Sequence, residues 1–551
     1  MRWITTCPAL ALSFLALCIP GAHSQTNDSN QPQDVMHSDQ TLRTNTRLVV
    51  VDVVATDTKG QVVPDLKAED FTLFEDGQPQ KIAGFLFERS SSTAVAKVQL
   101  PPNIVTNAPE FRSNSLNVIL FDTVNGELAE HAYAKDQLLK FLNGAQLVHP
   151  VAIFALENQL KLLHDFTIDS KALSVAVAAY RPPAQGLTSE SIESRASVFA
   201  TRGDYHTSER GIATTLNQLN ALAKTLKGYP GRKNLIWLSE SFPLTLVPET
   251  ASQLRMDGQS LKSAIQGPRV SPGLQTNSLS TQQNLQSSPT MNSYAALVKK
   301  VSDALMAAQV AVYPIDAGAL GKDDHLGSQH TMDEMAESTG GRSFKNSNNL
   351  AFGLKSSIED GSTYYTLTYY PDNKTWDGQF RTIQIKTSRA GLGLRYREGY
   401  YALDPEKLTK EELDSVAENF SRALQLHAPA ATAMVFQAQV LSPSTKNGKV
   451  IVNFHVDPQT IAFEHKEGGV ESAKLSCTVW AYGKDKGKPL MSSGTVNANL
   501  PETEFKQVQQ QRFLPCNREL ELKPGTYTLR MGVLDRTNNK MGTASAQVTV
   551  P

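Results

Sequence analysis

NVILFD, residues 117–122, decides the fold: four consecutive apolar side chains between Asn117 and Asp122 read as a strand buried on both faces. That is the pattern of a parallel sheet. Working outward, Ala134, Leu138, Phe141 and Leu142 recur at i, i+4, i+7 and i+8 and mark an amphipathic helix. VAIFAL (151–156) is a second strand, a helix follows near 171–180, and Ile212, Leu216, Leu219, Ala223 and Leu226 line one face of another helix. NLIWL (234–238) is a third strand, and a helix over 294–308 leads into VAVYPID (310–316). Strands alternating with helices predict one α/β domain over 112–350, its parallel sheet covered on both faces and its ligands at the carboxyl ends of the strands. Residues 247–290, rich in Ser, Gln, Asn, Pro and Gly, are expected to be a mobile insertion.

On either side of this domain the apolar period is two. LVVVDVVATDTKGQVV puts Val49, Val51, Val53 and Ala55 on one strand face, Glu75-Asp76-Gly77 reads as a tight turn, and 47–90 is expected to be a small β module. A Pro-rich connector (Pro101, Pro102, Pro109) follows. Residues 361–402 alternate again and would complete that first module, leaving the α/β domain inserted between its halves. A linking helix over 407–426, with Leu413, Val416, Phe420 and Leu424 on one face, precedes a C-terminal β-sandwich at 430–551.

Composition narrows the function classes. Of 551 residues, 40% are apolar and 19% charged, with 53 Lys plus Arg against 54 Asp plus Glu. A balanced charge offers no general attraction to nucleic acid or anionic lipid. The first residues, MRWITTCPALALSFLALCIPGAHSQ, read as a secretory signal over 1–24 with cleavage after Ser24, followed by a flexible polar leader over 25–46. The apolar run is shorter than the ~20 residues needed to cross a bilayer, so no integral membrane span is expected. Removal of the signal takes Cys7 and Cys18, and leaves Cys477 and Cys516. These two either pair, stabilising the fold by about 3 to 4 kcal/mol through chain entropy, or remain buried free thiols.

Longer motifs carry a resemblance. VVVDVVATDTKGQVVPDLKAEDFTLFEDGQPQKI, GRKNLIWLSESF, VAVYPIDAGAL and MAESTGGRSF together resemble the von Willebrand factor A-related family described from Acidobacteria, over roughly Leu48 to Ala402. The resemblance implies a Rossmann-like, von Willebrand factor A-type parallel-sheet domain in an extracytoplasmic setting; with the periods read above, the expected fold is of the α/β class, that domain flanked by small β modules, plus a C-terminal β-sandwich. The resemblance implies no reaction. Many A domains hold a divalent cation on an Asp-x-Ser-x-Ser loop with a Thr and a second Asp, oxygen donors that suit a hard ion. Here Asp122 matches the first position, but the two serine positions are Val124 and Gly126. The strand NLIWL continues into Ser239-Glu240, where an Asp is expected. The ligand-binding candidates are therefore Asp122, Thr123, Asn125, Thr201, Thr207, Ser239 and Glu240. Two readings stand side by side: a degenerate Mg²⁺ or Ca²⁺ site at Asp122, or an Asp122 that only caps the following turn. No cofactor is expected otherwise.

Other chemistry is thinly represented. Arg202-Gly203-Asp204 and Gly340-Gly341-Arg342 read as a polar loop and a helix C-terminus, and no phosphate-binding Gly-Lys-Ser/Thr motif occurs. Ser239 lacks the glycines of a nucleophile elbow. His131, His149, His164 and His206 are scattered and read as surface or turn residues, with His164-Asp165 of interest only if it lies beside Ser239. The tyrosines of YYTLTYYPDNKTW and YREGYYA are expected to pack across strands rather than to bind. The expected function is that of a non-enzymatic interaction or adhesion protein, secreted or periplasmic with cell-surface association as a variant, which binds an unknown protein or cell-envelope ligand, and no nucleic acid, through the A-like domain and its degenerate metal site. The alternatives are a metal-dependent or hydrolytic enzyme at the same strand ends, and an envelope scaffold subunit.

Overall fold

A computed structural model describes residues 48–89, 93–94, 100–109, 111–113, 115–125, 128–182, 203–239, 289–316, 326–345, 350–404, 409–443, 449–466, 468–484 and 488–551. The expected signal, the leader and nearly all of the 247–290 insertion lie outside them.

The first strands are β1 (Val49–Thr56), β2 (Phe71–Glu75), β3 (Gln78–Gln80) and β4 (Ile82–Arg89). Asp76 and Gly77 both take positive φ, 48° and 77°, so the β2–β3 hairpin closes on the two-residue Asp-Gly turn that suits the twist of paired strands. β5 (Thr93–Ala94) and β7 (Phe111–Arg112) form a small ribbon, with β6 (Ile104–Thr106) between them in sequence.

The α/β domain runs β8 (Ser115–Asp122), α1 (Leu128–Gly144), β9 (Val151–Leu156), β10 (Leu160–Thr167), α2 (Ser170–Ala179), α3 (Gly203–Leu226) and β11 (Arg232–Ser239). It continues through α4 (Pro289–Ala307), β12 (Val310–Asp316), α5 (Leu326–Thr339) and α6 (Leu350–Ser362). The sheet order is β10-β9-β8-β11-β12. β9, β8, β11 and β12 are parallel, and β10 is an antiparallel edge. The chain thus starts in the middle at β8, builds outward on one side and then on the other, as doubly wound sheets do. Even-numbered side chains of β8 such as Val118 and Leu120 pack with α3, α4 and α5. Odd-numbered Ile119 and Phe121 pack with α1, α2 and α6. Two buried faces explain why NVILFD shows no polar alternation.

Two elements depart from the sequence expectation. α6 packs Leu350 and Leu354 into the same core, so the α/β domain continues past 350. Gly203 and Asp204, read as part of a loop, belong to the helix α3.

β13 (Thr363–Tyr369), β14 (Phe380–Thr387), β15 (Gly393–Arg395) and β16 (Gly399–Tyr401) pair with the first strands in two sheets, β15-β1-β13-β4 and β16-β14-β2-β3. Val51, Val53, Leu73, Tyr365, Leu367 and Tyr369 fill the space between them. A polar hub sits inside this core: Glu75 accepts from Arg381 at 3.1 Å, Tyr369 at 2.6 Å and Tyr400 at 2.8 Å. These tyrosines are therefore interior supports.

The remainder is α7 (Lys410–Ala423), β17 (Phe436–Leu441), β18 (Lys449–Val456), β19 (Glu464–Lys466), β20 (Val470–Tyr482), β21 (Leu490–Leu500), α8 (Glu502–Gln511), β22 (Leu514–Glu521), β23 (Gly525–Asp535) and β24 (Met541–Val550). One sheet is β22-β18-β17-β6 and the other is β19-β20-β23-β24, with β21 also on β20. The connector is thus more than a tether, because β6 adds a strand to the C-terminal sandwich. Asn107 latches it there, donating to Ala431 O and Met434 O at 2.7 Å each and accepting from Phe436 N at 2.9 Å. Cys477 on β20 and Cys516 on β22 form a disulfide between the two sheets. α7 opens on a Thr409–Glu412 capping box and buries Phe420 and Leu424 against Leu534 and Met541.

Candidate functional site

The winding reverses at β8, between β9 and β11, and a crevice at such a point is where open α/β sheets bind ligands. Asp122 ends β8 there and is 2% exposed. Its Oδ1 accepts from Val124 N at 2.9 Å and Asn125 N at 3.1 Å, which caps the turn into α1. Its Oδ2 accepts from Asn125 Nδ2 at 2.7 Å, Ser239 Oγ at 2.7 Å and Trp237 Nε1 at 3.3 Å. Five protein donors converge on a carboxylate that offers about four lone-pair positions.

Further hydrogen bonds hold these partners in place. Asn125 Nδ2 also donates to Thr215 Oγ1 of α3 at 2.8 Å. His131 Nε2 lies 2.6 Å from Asn125 O; a carbonyl only accepts, so that nitrogen carries the proton. On the β9 side, Thr123 Oγ1 donates to Leu156 O at 2.8 Å and lies 3.5 Å from the Tyr180 hydroxyl, which donates to Glu157 at 2.8 Å. Burial, reinforced by Glu157, raises the Tyr180 phenol well above its ordinary range and keeps it a donor.

Asp122, Thr123, Asn125 and Ser239 are thus brought together, but all four are buried and bond to one another or to neighbouring backbone. Thr201 and Glu240 lie outside the described residues. Thr207 falls on α3. Among the described side chains of α3, Thr215 brings a hydroxyl to the network; it follows Ile212 by three residues and so shares the buried stripe of that helix. That position was the available sequence signal for it. Trp237 was missed because it reads as one more apolar residue in NLIWL, although a buried indole N–H normally needs a partner.

The donor set does not fit a hard divalent cation. N–H groups of Asn125, Trp237 and the turn point at the carboxylate, and they cannot ligate a metal. Among the described residues no three His, Cys, Asp or Glu side chains cluster as a metal site. His131 and His149 are buried rather than surface residues. His164 sits on the edge strand, paired with Ile153, which pairs with Ile119 and then Ile236. Three strand spacings, about 14 Å at ~4.8 Å each, separate it from β11. Its Nδ1 is bonded to Asp165 O at 2.7 Å, so no proton relay to Ser239 exists.

By sequence, the chain matches no family model and no curated protein. Among solved structures it is similar to a von Willebrand factor type A protein from Catenulispora acidiphila, at 8% identity over 87% of this chain and 73% of that one, with a TM-score of 0.24. It is also similar to the three N-terminal domains of the type V pili tip protein Mfa5 from Porphyromonas gingivalis, at 10% identity over 65% of this chain and 75% of that one, TM-score 0.25. A third is an aerotolerance-related membrane protein from Bacteroides fragilis, at 8% identity over 45% of this chain and 98% of that one, TM-score 0.22. The doubly wound assignment rests on the strand order itself.

Proposed function

We propose that this chain is an extracytoplasmic, non-enzymatic interaction protein of the von Willebrand factor A-related kind, and that its α/β domain binds a protein or envelope ligand without a metal. The carrying observation is the saturated carboxylate of Asp122. A strand-end Asp that already accepts five protein hydrogen bonds ties the ends of β8 and β11 together, and its partner Asn125 extends the tie to Thr215 of α3, which makes this end of the sheet a rigid platform. It has no lone pair left to activate a nucleophile or complete a cation's shell. The Cys477–Cys516 disulfide and the signal-like first residues support an oxidising compartment. Among the described residues no helix is long and apolar enough to cross a membrane.

The test is binding of the purified chain to an immobilised cell-envelope fraction, alongside thermal unfolding, in EDTA and then in excess Mg²⁺, Ca²⁺ or Mn²⁺. Saturable binding and an unchanged melting temperature in EDTA are expected. A metal requirement, or turnover of a generic ester lost in Ser239→Ala, would overturn the reading.

A further inference from the structure

α5 ends on Thr339, and the chain turns through Gly340, whose φ of 80° suits glycine, and Gly341, where any side chain would run into Val312 O of β12. The turn delivers Arg342 to the wall of a cavity of about 460 Å³ between α5 and strands β14 and β15 of the first β module. That volume falls within the range of small-molecule sites.

Arg342 is held at one side of its guanidinium and free at the end. Its Nε lies 3.1 Å from Asp360 Oδ2, and the group sits 4.6 Å from the ring centre of Phe344. Nη1 and Nη2 make no hydrogen bond with the described residues, and the side chain is 28% exposed, so a ligand in the cavity can reach them. Asp360, only 4% exposed, is shared with Arg395 Nη2 at 2.8 Å, which sets two guanidiniums against one carboxylate. On the same wall Asp333 is taken up by Ser343 and Lys345. Glu337, one turn before the glycines, is exposed and pairs with none of the described residues. Arg342 and Glu337 thus line one cavity without meeting each other.

We propose that this cavity binds an α-amino acid with an aliphatic side chain, its carboxylate on Arg342, its ammonium on Glu337 and its side chain on Ile383 and Leu394 of the facing wall. The end of a guanidinium is a planar fork that matches the two oxygens of a carboxylate. A plain anion would set its charge against Glu337, and a plain cation would set its charge against the Arg342–Arg395 pair; such like-charge contacts are unfavourable. A zwitterion meets both groups with the opposite sign.

The test is calorimetric titration of the full chain with L-leucine, with 4-methylpentanoate, which lacks the ammonium, and with 3-methylbutylamine, which lacks the carboxylate. Leucine is expected to bind saturably and more tightly than either. Arg342→Met should raise the leucine dissociation constant roughly tenfold to a hundredfold, the range of hydrogen bonds to charged groups. Glu337→Gln, at an exposed position, should raise it by up to about fivefold and remove the preference for leucine over 4-methylpentanoate. No saturable heat with leucine overturns the proposal. So does undiminished binding in Arg342→Met, whose folding is checked by its melting temperature, or 4-methylpentanoate binding the unaltered chain as tightly as leucine does. If Arg342→Met does not fold, Glu337→Gln decides, and an unchanged preference overturns the proposal.

Discussion

Ser239 Oγ donates to Asp122 Oδ2 at 2.7 Å and ties the ends of β11 and β8 together across 117 residues of sequence. Because the acceptor is a buried carboxylate, Ser239→Ala should cost about 1.5–3 kcal/mol, the usual worth of a hydrogen bond to a charged group. Asp122→Ala should cost more, since it strands Trp237 Nε1, Ser239 Oγ and the Asn125 amide together. Urea unfolding followed by tryptophan fluorescence reads both. Midpoints equal to that of the unaltered chain would mean that Asp122 is no structural tie.

Lys233, on β11, is 2% exposed, and its Nζ donates only to Tyr229 O among the bonds seen, at 2.9 Å. Burial pushes its pKa from 10.5 down to about 7, with Asp52 partly opposing and Lys540 adding to the shift. Between those two values the unfolded chain holds a proton that the folded chain lacks, so this group makes stability rise with pH from about 7 to about 10.5. Lys233→Met should therefore stabilise the protein at neutral pH, by about 4 kcal/mol at most. The gain over the unaltered chain should shrink as pH climbs toward 10.5. A gain independent of pH would refute the buried-charge account.

The disulfide closes a loop of sequence separation 39 and joins the two sheets of the C-terminal sandwich. Replacing both cysteines by alanine should destabilise that sandwich by about 4 kcal/mol on chain-entropy grounds. Calorimetry of the oxidised chain, the reduced chain and the double variant checks it. The reduced chain and the variant should melt together, below the oxidised form.

Glu75 and Arg381 are an ion pair 3.1 Å apart with both side chains almost wholly buried. Arg381→Met alone should cost about 3–5 kcal/mol, because it leaves a charge inside the first β module. The double variant Glu75→Gln, Arg381→Met should recover much of that loss. If the double variant were as unstable as the sum of the two singles, the pair would not be the coupled unit described here.

Much of the architecture was legible because period alone carries it. Val49, Val51, Val53 and Ala55 alternate into the core of the first module, and Ile212, Leu216 and Leu219 stripe the buried face of α3. β10 escaped notice since LKLLHDFT mixes polar and apolar residues, as befits an edge strand. β6 escaped because three residues in a Pro-rich stretch show no period. The site was legible in part: Asp122, Asn125 and Ser239 were singled out by position, while Thr215, Trp237 and His131 joined them only through contacts distant in sequence.

By itself, the sequence determined the alternation of strands and helices, the Asp-Gly turn at Asp76-Gly77 and the presence of Cys477 and Cys516 in the C-terminal β region. These follow from local sterics and from the spacing of apolar side chains, which neighbouring residues settle among themselves. Only the tertiary structure decided that Cys477 faces Cys516, that the connector strand belongs to the last sandwich, and that the Asp122 carboxylate is filled by protein donors. Such outcomes depend on which distant groups arrive within hydrogen-bond reach once the layers pack, and a buried polar group then has to take its partner from whatever the fold brings beside it.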